Sequence, residues 1–61
     1  MKMSKNKNKY YLILSNGGYV NSIKKDDVYF STEEYELDYE TMEKYSQRLN
    51  QMKIRYEVIK I

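Results

Sequence analysis

The sequence predicts a single small α+β domain in which one helix packs on one face of a sheet. Residues 10–24 alternate aromatic and branched side chains around an Asn-Gly pair, a pattern typical of a β-hairpin. Residues 39–52 instead repeat apolar side chains at helical spacing, and the alternating segment 54–61 follows them. The predicted order is therefore a hairpin, a helix and a final strand, with a possible short strand at 28–30 before the helix.

The hairpin is predicted with Asn16 and Gly17 at its tip, because both central residues of a type I′ turn adopt positive φ. In that register Ser15 faces Gly18, Leu14 faces Tyr19, Leu12 faces Asn21, and Tyr10 faces Ile23. The face predicted to join the core then carries Tyr10, Leu12, Leu14, Tyr19 and Ile23, and the other face carries Tyr11, Ile13, Val20 and Ser22. A turn at Gly17-Gly18 would shift this register and stays open as an alternative.

Two starting points for the helix are open. Ser31 followed by Glu34 fits a capping box, which predicts a helix from 32 to 52. Asp38 is the alternative N-cap, which leaves a helix of about 39–52 after an extended segment. In the final strand, 54–61, Ile59 and Ile61 break the alternation, so we expect either burial on both faces or a bulge. The predicted core comprises Leu12, Leu14, Ile23, Phe30, Met42, Leu49, Ile54 and Val58.

Residues 1–9 carry four lysines, no acid and no periodicity, which predicts a flexible basic arm before the domain at 10–61. The longest unbroken apolar run, residues 10–14, is too short to span a bilayer. The chain contains no Cys, in keeping with a reducing compartment. We therefore expect a cytoplasmic protein, in the host cell if the gene belongs to a phage.

The residue types available argue against catalysis. The chain contains neither His nor Cys, so the usual general base, thiolate nucleophile and soft metal ligands are missing. Its only glycines, Gly17 and Gly18, cannot form a phosphate-binding loop. The adjacent acids Asp26-Asp27 and Glu33-Glu34 lack the spacing of a calcium loop. We expect no enzymatic activity, no catalytic or metal-binding residues and no cofactor.

Charge is distributed very unevenly along the chain. Residues 1–25 contain six lysines and no acid, residues 26–43 contain eight acids and no base, and residues 44–61 contain five bases and one acid. This can be a solvated surface balanced by the basic ends, or a surface for a basic partner on which tyrosines supply contact area. The second interpretation predicts these partner-binding residues: Asp26, Asp27, Tyr29, Glu33, Glu34, Tyr35, Glu36, Asp38, Tyr39 and Glu40.

Residues with A/T-rich codons (Phe, Tyr, Met, Ile, Asn and Lys) make up 32 of the 61, which indicates an A/T-rich genome. In length, in Lys, Tyr and Asn content, and in its acidic tyrosine-bearing stretch from Asp26 to Glu43, the chain resembles small accessory proteins of phages and mobile elements of low-G+C Gram-positive bacteria. These include anti-CRISPR and other counter-defence inhibitors. The resemblance matches no motif residue by residue, so it implies no site residue.

That resemblance implies a non-catalytic inhibitor that binds a host or defence protein, blocking its nucleic-acid-binding or active site. A basic, nucleic-acid-binding protein is the expected partner of the acidic stretch. Two alternatives stay open. One is a nucleic-acid-binding regulator that uses the lysine arm and the basic C-terminal third, and the other is a self-associating structural protein. Homodimerisation is compatible with all three.

Overall fold

Within residues 8–61, one helix and five antiparallel strands make up the fold, which confirms the predicted α+β class. The structure is a computed structural model that describes residues 8–61. Its elements are β1 (Lys9–Leu14), β2 (Tyr19–Lys24), β3 (Asp27–Ser31), β4 (Leu37–Asp38), α1 (Tyr39–Gln51) and β5 (Tyr56–Lys60). Most of the predicted arm, residues 1–7, lies outside the described residues, and Lys9 begins β1. No helix within residues 8–61 is long and apolar enough to cross a membrane.

Strand β1 is the centre of the sheet. It pairs with β5 along its whole length, from Tyr10 opposite Lys60 to Leu14 opposite Tyr56. Two strands, β4 and β2, pair with different parts of its other edge. Tyr10 lies opposite Leu37 of β4, and Ile13 lies opposite Tyr19 of β2. Among the described strands, β3 pairs with β2 alone and forms the outer edge on that side. Strands β4 and β5 therefore run parallel to each other on the two sides of β1, and α1 crosses β1 to connect them.

The first hairpin has a register that differs by one residue from the predicted one. Gly17 N–H donates to Leu14 C=O at 2.8 Å, and Leu14 N–H donates to Gly18 C=O at 2.9 Å. Within this hairpin loop Gly17 alone has positive φ, at 88°, so the loop is a type I turn over Ser15 and Asn16 followed by a glycine bulge. Asn16 Oδ1 accepts from Gly18 N–H at 2.8 Å, and this hydrogen bond supports the turn.

The shifted register places Tyr19 opposite Ile13 rather than opposite Leu14. Val20 consequently lies on the core face, where it is fully buried, and Tyr19 lies on the opposite face. A bulge between Val20 and Ser22 then changes the alternation of β2. Because of this bulge, Ile23 also packs against the core, as predicted, although it lies three positions after Val20 and a regular strand would place the two on opposite faces.

The core lies between the helix and the β1 side of the sheet. Of the predicted core, Leu12, Met42 and Leu49 are buried, whereas Leu14, Ile23 and Ile54 are partly buried and pack against it. The core also contains Tyr10, which lies on the hairpin face predicted to join it, and two residues that were not predicted, Val20 and Leu37. We call the opposite side of the sheet, which carries Tyr11, Ile13, Tyr19 and Ile59, the open face.

Two residues predicted to be buried are not, because the helix does not reach them. Phe30 of β3 is 46% exposed and Val58 of β5 is 44% exposed. They lie in the two strands at the outer edges of the sheet, whereas α1 packs mainly over β1, β2 and β4. Ile59 and Ile61 are exposed as well, and the β1–β5 register is regular, so neither burial on both faces nor a bulge explains the end of β5.

The helix begins at Tyr39, as the Asp38 alternative predicts. The side chain of Asp38 accepts a hydrogen bond from Thr41 N–H at 2.8 Å. The capping box at Ser31 is wrong, because Ser31 instead donates its hydroxyl to the Glu33 carbonyl in a loop. At the other end Lys53 takes the left-handed conformation, and Ile54 N–H donates to Leu49 C=O at 2.9 Å. These bonds form a Schellman motif, with Lys53 where glycine is usual.

Candidate functional site

The ten predicted partner-binding residues do not form one patch. They are distributed over the β2–β3 turn, strand β3, the loop 32–36, and the start of the helix. Strand β3 alone separates Asp27 from Ser31 by about 13 Å, at roughly 3.3 Å per residue. The acids at the β2–β3 turn and those in the loop therefore present two separate surfaces.

The surface at the β2–β3 turn carries a base beside its acids. The Asp26 carboxylate lies 3.8 Å from the Arg48 guanidinium, although its side chain is 96% exposed. Arg48 also donates to the Lys25 carbonyl, which connects the last turn of the helix to this turn. Asp27 faces Lys24 in the strand pairing, and Tyr29 lies exposed in β3. The negative charge at this end is partly balanced by the adjacent bases.

Three of the predicted residues lie at the start of the helix. The hydrogen bonds from Thr41 to the Asp38 carboxylate lower the pKa of Asp38, and Lys9 across the sheet lowers it further. The Tyr39 ring lies 5.9 Å from the ring of Tyr10, and its hydroxyl donates to Glu43 at 3.3 Å. The negative charge of Glu43, and then this hydrogen bond, raise the pKa of Tyr39. Asp38 and Tyr39 thus have local structural roles, whereas Glu40 is exposed in the first turn.

The remaining predicted residues, Glu33, Glu34, Tyr35 and Glu36, form what we call the acidic loop. All four are exposed, and Tyr35 retains 44% of its surface. Within residues 8–61, no Lys or Arg forms an ion pair with any of the three glutamates. The hydroxyl of Ser31 donates to the Glu33 carbonyl at 3.0 Å and helps to set the path of the loop. This is the uncompensated part of the acidic stretch.

One hydrogen bond connects the acidic loop to the open face. The Tyr11 hydroxyl donates to Glu34 Oε1 at 3.1 Å. The Tyr11 ring in turn meets the Tyr19 ring edge to face, at 5.2 Å and 80°. Partial removal from water raises the pKa of Tyr11, and the hydrogen bond and charge of Glu34 raise it further, with a contribution from Glu36. Acidic side chains and two half-buried aromatic rings therefore form a continuous surface.

Tyr11 and Tyr19 were missed as site residues by the sequence prediction. The predicted register placed Tyr19 on the core face, so its contact with Tyr11 was not foreseen. A three-residue loop ending at Gly17 is the signal that would have found the pair. It places Tyr19 opposite Ile13, two residues beyond Tyr11, on the same face.

Among residues 8–61, no three acidic side chains lie close enough together to hold a metal ion. Two open grooves do occur, but they flank the start of β5, away from the acidic loop. One lies on the helix side and includes Asn50, Lys53, Ile54, Tyr56 and Val58. The other lies towards the open face and includes Ile13, Ser15, Arg55 and Glu57.

Comparison with known proteins identifies no relative. No protein-family model matches this chain, and neither a curated protein nor a solved structure shows significant similarity to it.

Proposed function

We propose that this chain is a non-catalytic inhibitor of the phage accessory type. It binds a basic, nucleic-acid-binding host or defence protein through the acidic loop and the adjoining open face. In doing so it blocks the partner's nucleic-acid-binding or active site. The observation that supports this most directly is the hydrogen bond from Tyr11 to Glu34, because it joins acids that have no ion pair to the half-buried aromatic rings of the open face.

Charge supports the choice of a basic partner. Glu33, Glu34 and Glu36 lie within four residues, and no described base is paired with them. Such a cluster attracts a positively charged surface over distances comparable to the Debye length, about 8 Å at physiological salt. It therefore accelerates encounter with a groove built to hold nucleic-acid phosphates.

The tyrosines supply the contact area that charge alone lacks. Tyr11, Tyr19 and Tyr35 each present a large ring with a polar tip, and tyrosine is enriched among the residues that dominate binding energy. Contacts within the protein already restrain the rings of Tyr11 and Tyr19. Less side-chain freedom is then lost on binding, which favours affinity.

Six of the predicted residues lie away from the proposed surface: Asp26, Asp27 and Tyr29 at the β2–β3 turn and in β3, and Asp38, Tyr39 and Glu40 at the start of the helix. Asp26 lies beside Arg48, Asp38 caps the helix, and Tyr39 packs beside Tyr10. The proposed binding residues are therefore Tyr11, Tyr19, Glu33, Glu34, Tyr35 and Glu36.

The experiment compares two charge reversals of equal size. A partner is first captured from a nuclease-treated lysate of a low-G+C Gram-positive bacterium and identified. Its binding is then measured with the wild type, with the double variant Glu34→Lys/Glu36→Lys, and with the matched control Asp26→Lys/Asp27→Lys. Each double variant changes the net charge equally, so a difference between them reports on location.

We expect the loop variant to lose at least about tenfold in association rate at low salt, and less at high salt, where steering is screened. The turn control should bind nearly as well as the wild type. The wild type should also displace nucleic acid from the partner. Equal losses in the two variants would mean that net charge alone matters, and unchanged binding in the loop variant would exclude the proposed surface. Binding that disappears on nuclease treatment would favour a nucleic-acid-binding regulator.

A further inference from the structure

The outer edge of β5 is unpaired in the part of the chain that the structure describes. Its inner edge pairs with β1, and Ile61 N–H donates to Lys9 C=O at 2.9 Å. Backbone groups alternate in direction along an antiparallel pair, so those of residues 57 and 59 also point towards β1. Those of Tyr56, Val58 and Lys60 therefore point outward, and such a row of free groups is a template for another strand.

Apolar side chains accompany this free edge. Val58, Ile59 and Ile61 are 44%, 41% and 53% exposed. Proteins commonly protect an edge with a proline, a bulge or a covering element, but β5 contains no proline and its register with β1 is regular. The free hydrogen-bonding groups and the exposed apolar residues thus coincide in one strand.

We propose that β5 pairs antiparallel with β5 of a second copy of this chain, with Val58 opposite the partner's Val58. The two-fold axis that relates two such strands is perpendicular to the sheet, so each residue stays on its own face. Each residue can therefore pair only with a residue on the same face of the partner strand. The residue at the two-fold axis consequently pairs with the same residue of the second copy. Within residues 56–61, few registers meet this condition and also form several pairs of facing residues between the two copies.

Charge and hydrogen bonding select among these registers. Centring the pair on Glu57 or on Lys60 would set like charges directly opposite each other, which is destabilising. Within the described residues, centring it on Ile59 lets Val58 and Lys60 exchange backbone hydrogen bonds, about four in all, at two for each such pair. Centring it on Val58 also engages Tyr56, for about six hydrogen bonds.

The two grooves beside β5 fit the same register. An antiparallel partner brings the end of its β5 to the start of this one, where both grooves lie. The partner's Lys60 faces Tyr56 and the partner's Ile61 faces Arg55, and both Tyr56 and Arg55 line both grooves. The end of the second copy's β5 therefore lies against the two grooves, and Val58 extends the core across the two-fold axis.

The size and charge of this contact determine how strongly the dimer forms and how it depends on salt. Edge pairing of five residues buries less than the roughly 1,200 Å² at which stable interfaces begin, so the dimer is weak and depends on concentration. The partner's Lys60 also approaches Lys53 and Arg55, so screening by salt should strengthen the dimer. This is opposite to the salt dependence of the proposed acidic surface, and the two proposals can fail independently.

Single cysteines test the register, because the natural chain contains none. The variants are Val58→Cys and Ile59→Cys, whose sites are almost equally exposed. In the Val58 register the Cα atoms at position 58 of the two copies lie about 5.5 Å apart, within the range for a disulfide. The Cα atoms at position 59 of the two copies are diagonal neighbours at roughly 7–8 Å, beyond that range. Wild-type mass is measured in parallel by sedimentation equilibrium from about 10 µM to about 1 mM.

We expect the wild-type mass to rise with concentration and with salt, and Val58→Cys to crosslink several times faster than Ile59→Cys under mild oxidation. In addition, Val58→Lys should abolish the rise in mass, while Val58→Thr should retain it. A monomer at every concentration and salt, with equally slow crosslinking, would overturn the proposal. Faster crosslinking of Ile59→Cys would overturn the Val58 register.

Discussion

The Phe30 ring lies directly over the backbone of Gly18, so closely that a Cβ on Gly18 would come within 2.2 Å of the ring Cδ2. This contact ties the outer strand β3 to the turn of the first hairpin. It also explains why Gly18 is buried although it lies next to the exposed tip of that hairpin.

The contact predicts that Gly18→Ala destabilises the protein by about 1–3 kcal/mol, because the ring must move away from its present position. Phe30→Ala in the same chain should relieve the clash. The double variant should then lose at least about 0.5 kcal/mol less than the sum of the two single changes. Urea denaturation of the four proteins measures this coupling, and additive losses would show that the ring moves freely.

The helix stripe predicts a large effect at Leu49. This side chain is fully buried between the helix and the sheet, so Leu49→Ala should cost about 2–5 kcal/mol, enough to unfold much of so small a domain. Gln47→Ala, at an exposed position on the same helix, is the control and should stay within about 0.5 kcal/mol. Thermal melts of both variants, monitored by circular dichroism, check the difference.

Lys53 offers a predicted gain in stability. Its φ is 61°, a left-handed conformation that glycine adopts without strain. Lys53→Gly should therefore stabilise the protein by about 0.5–1 kcal/mol. The matched control is Lys44→Gly, an exposed lysine inside α1, where glycine should instead cost about 1 kcal/mol. If both variants lose stability alike, the Schellman motif does not persist in solution.

Acid should weaken the helix through Asp38. Hydrogen bonds from Thr41 lower the pKa of Asp38 below its ordinary value of 3.8, so its ionised form stabilises the folded state. That contribution is present above the ordinary value and is lost as the pH falls through the folded pKa. Melting temperatures between about pH 7 and about pH 2 test this. Asp38→Asn can still cap the helix but does not titrate, so its melting temperature should fall less on acidification than that of the wild type.

The helix and the hairpin show how far sequence reasoning reaches here. The local pattern of residues 39–52 locates the body of α1, because helix signals depend on neighbours in sequence, but the same kind of signal left its start open between Ser31 and Asp38. The hairpin itself was also predicted, but its register was not. Asn16-Gly17 fits both a two-residue and a three-residue loop, and only the pairing of Ile13 with Tyr19 distinguishes them. One residue of shift then moved Val20 into the core and Tyr19 onto the open face.

Burial at the sheet edges was beyond prediction for a different reason. Val and Phe are residue types that usually lie in a core, so Val58 and Phe30 were expected there. A helix of 13 residues, however, spans only about 20 Å and covers the central strands. Which strand lies at an edge depends on long-range pairing, and alternation of side chains does not report it. The same is true of the candidate site. The acids were visible as a run of charge, whereas the contact of Tyr11 with Glu34 joins residues far apart in the chain.

The pairing of the first and last strands has a kinetic consequence. Tyr10 faces Lys60, so the residues that complete the sheet around β1 are among the most distant along the chain. The chain loses the entropy of closing this long loop before the contacts between β1 and β5 can stabilise it. This order of events slows folding. Until β5 docks, β1 leaves one edge bare, and an extended segment of another nascent chain can add there instead. The strand that is best protected in the folded protein is therefore the one most open to misassembly while the protein is being made.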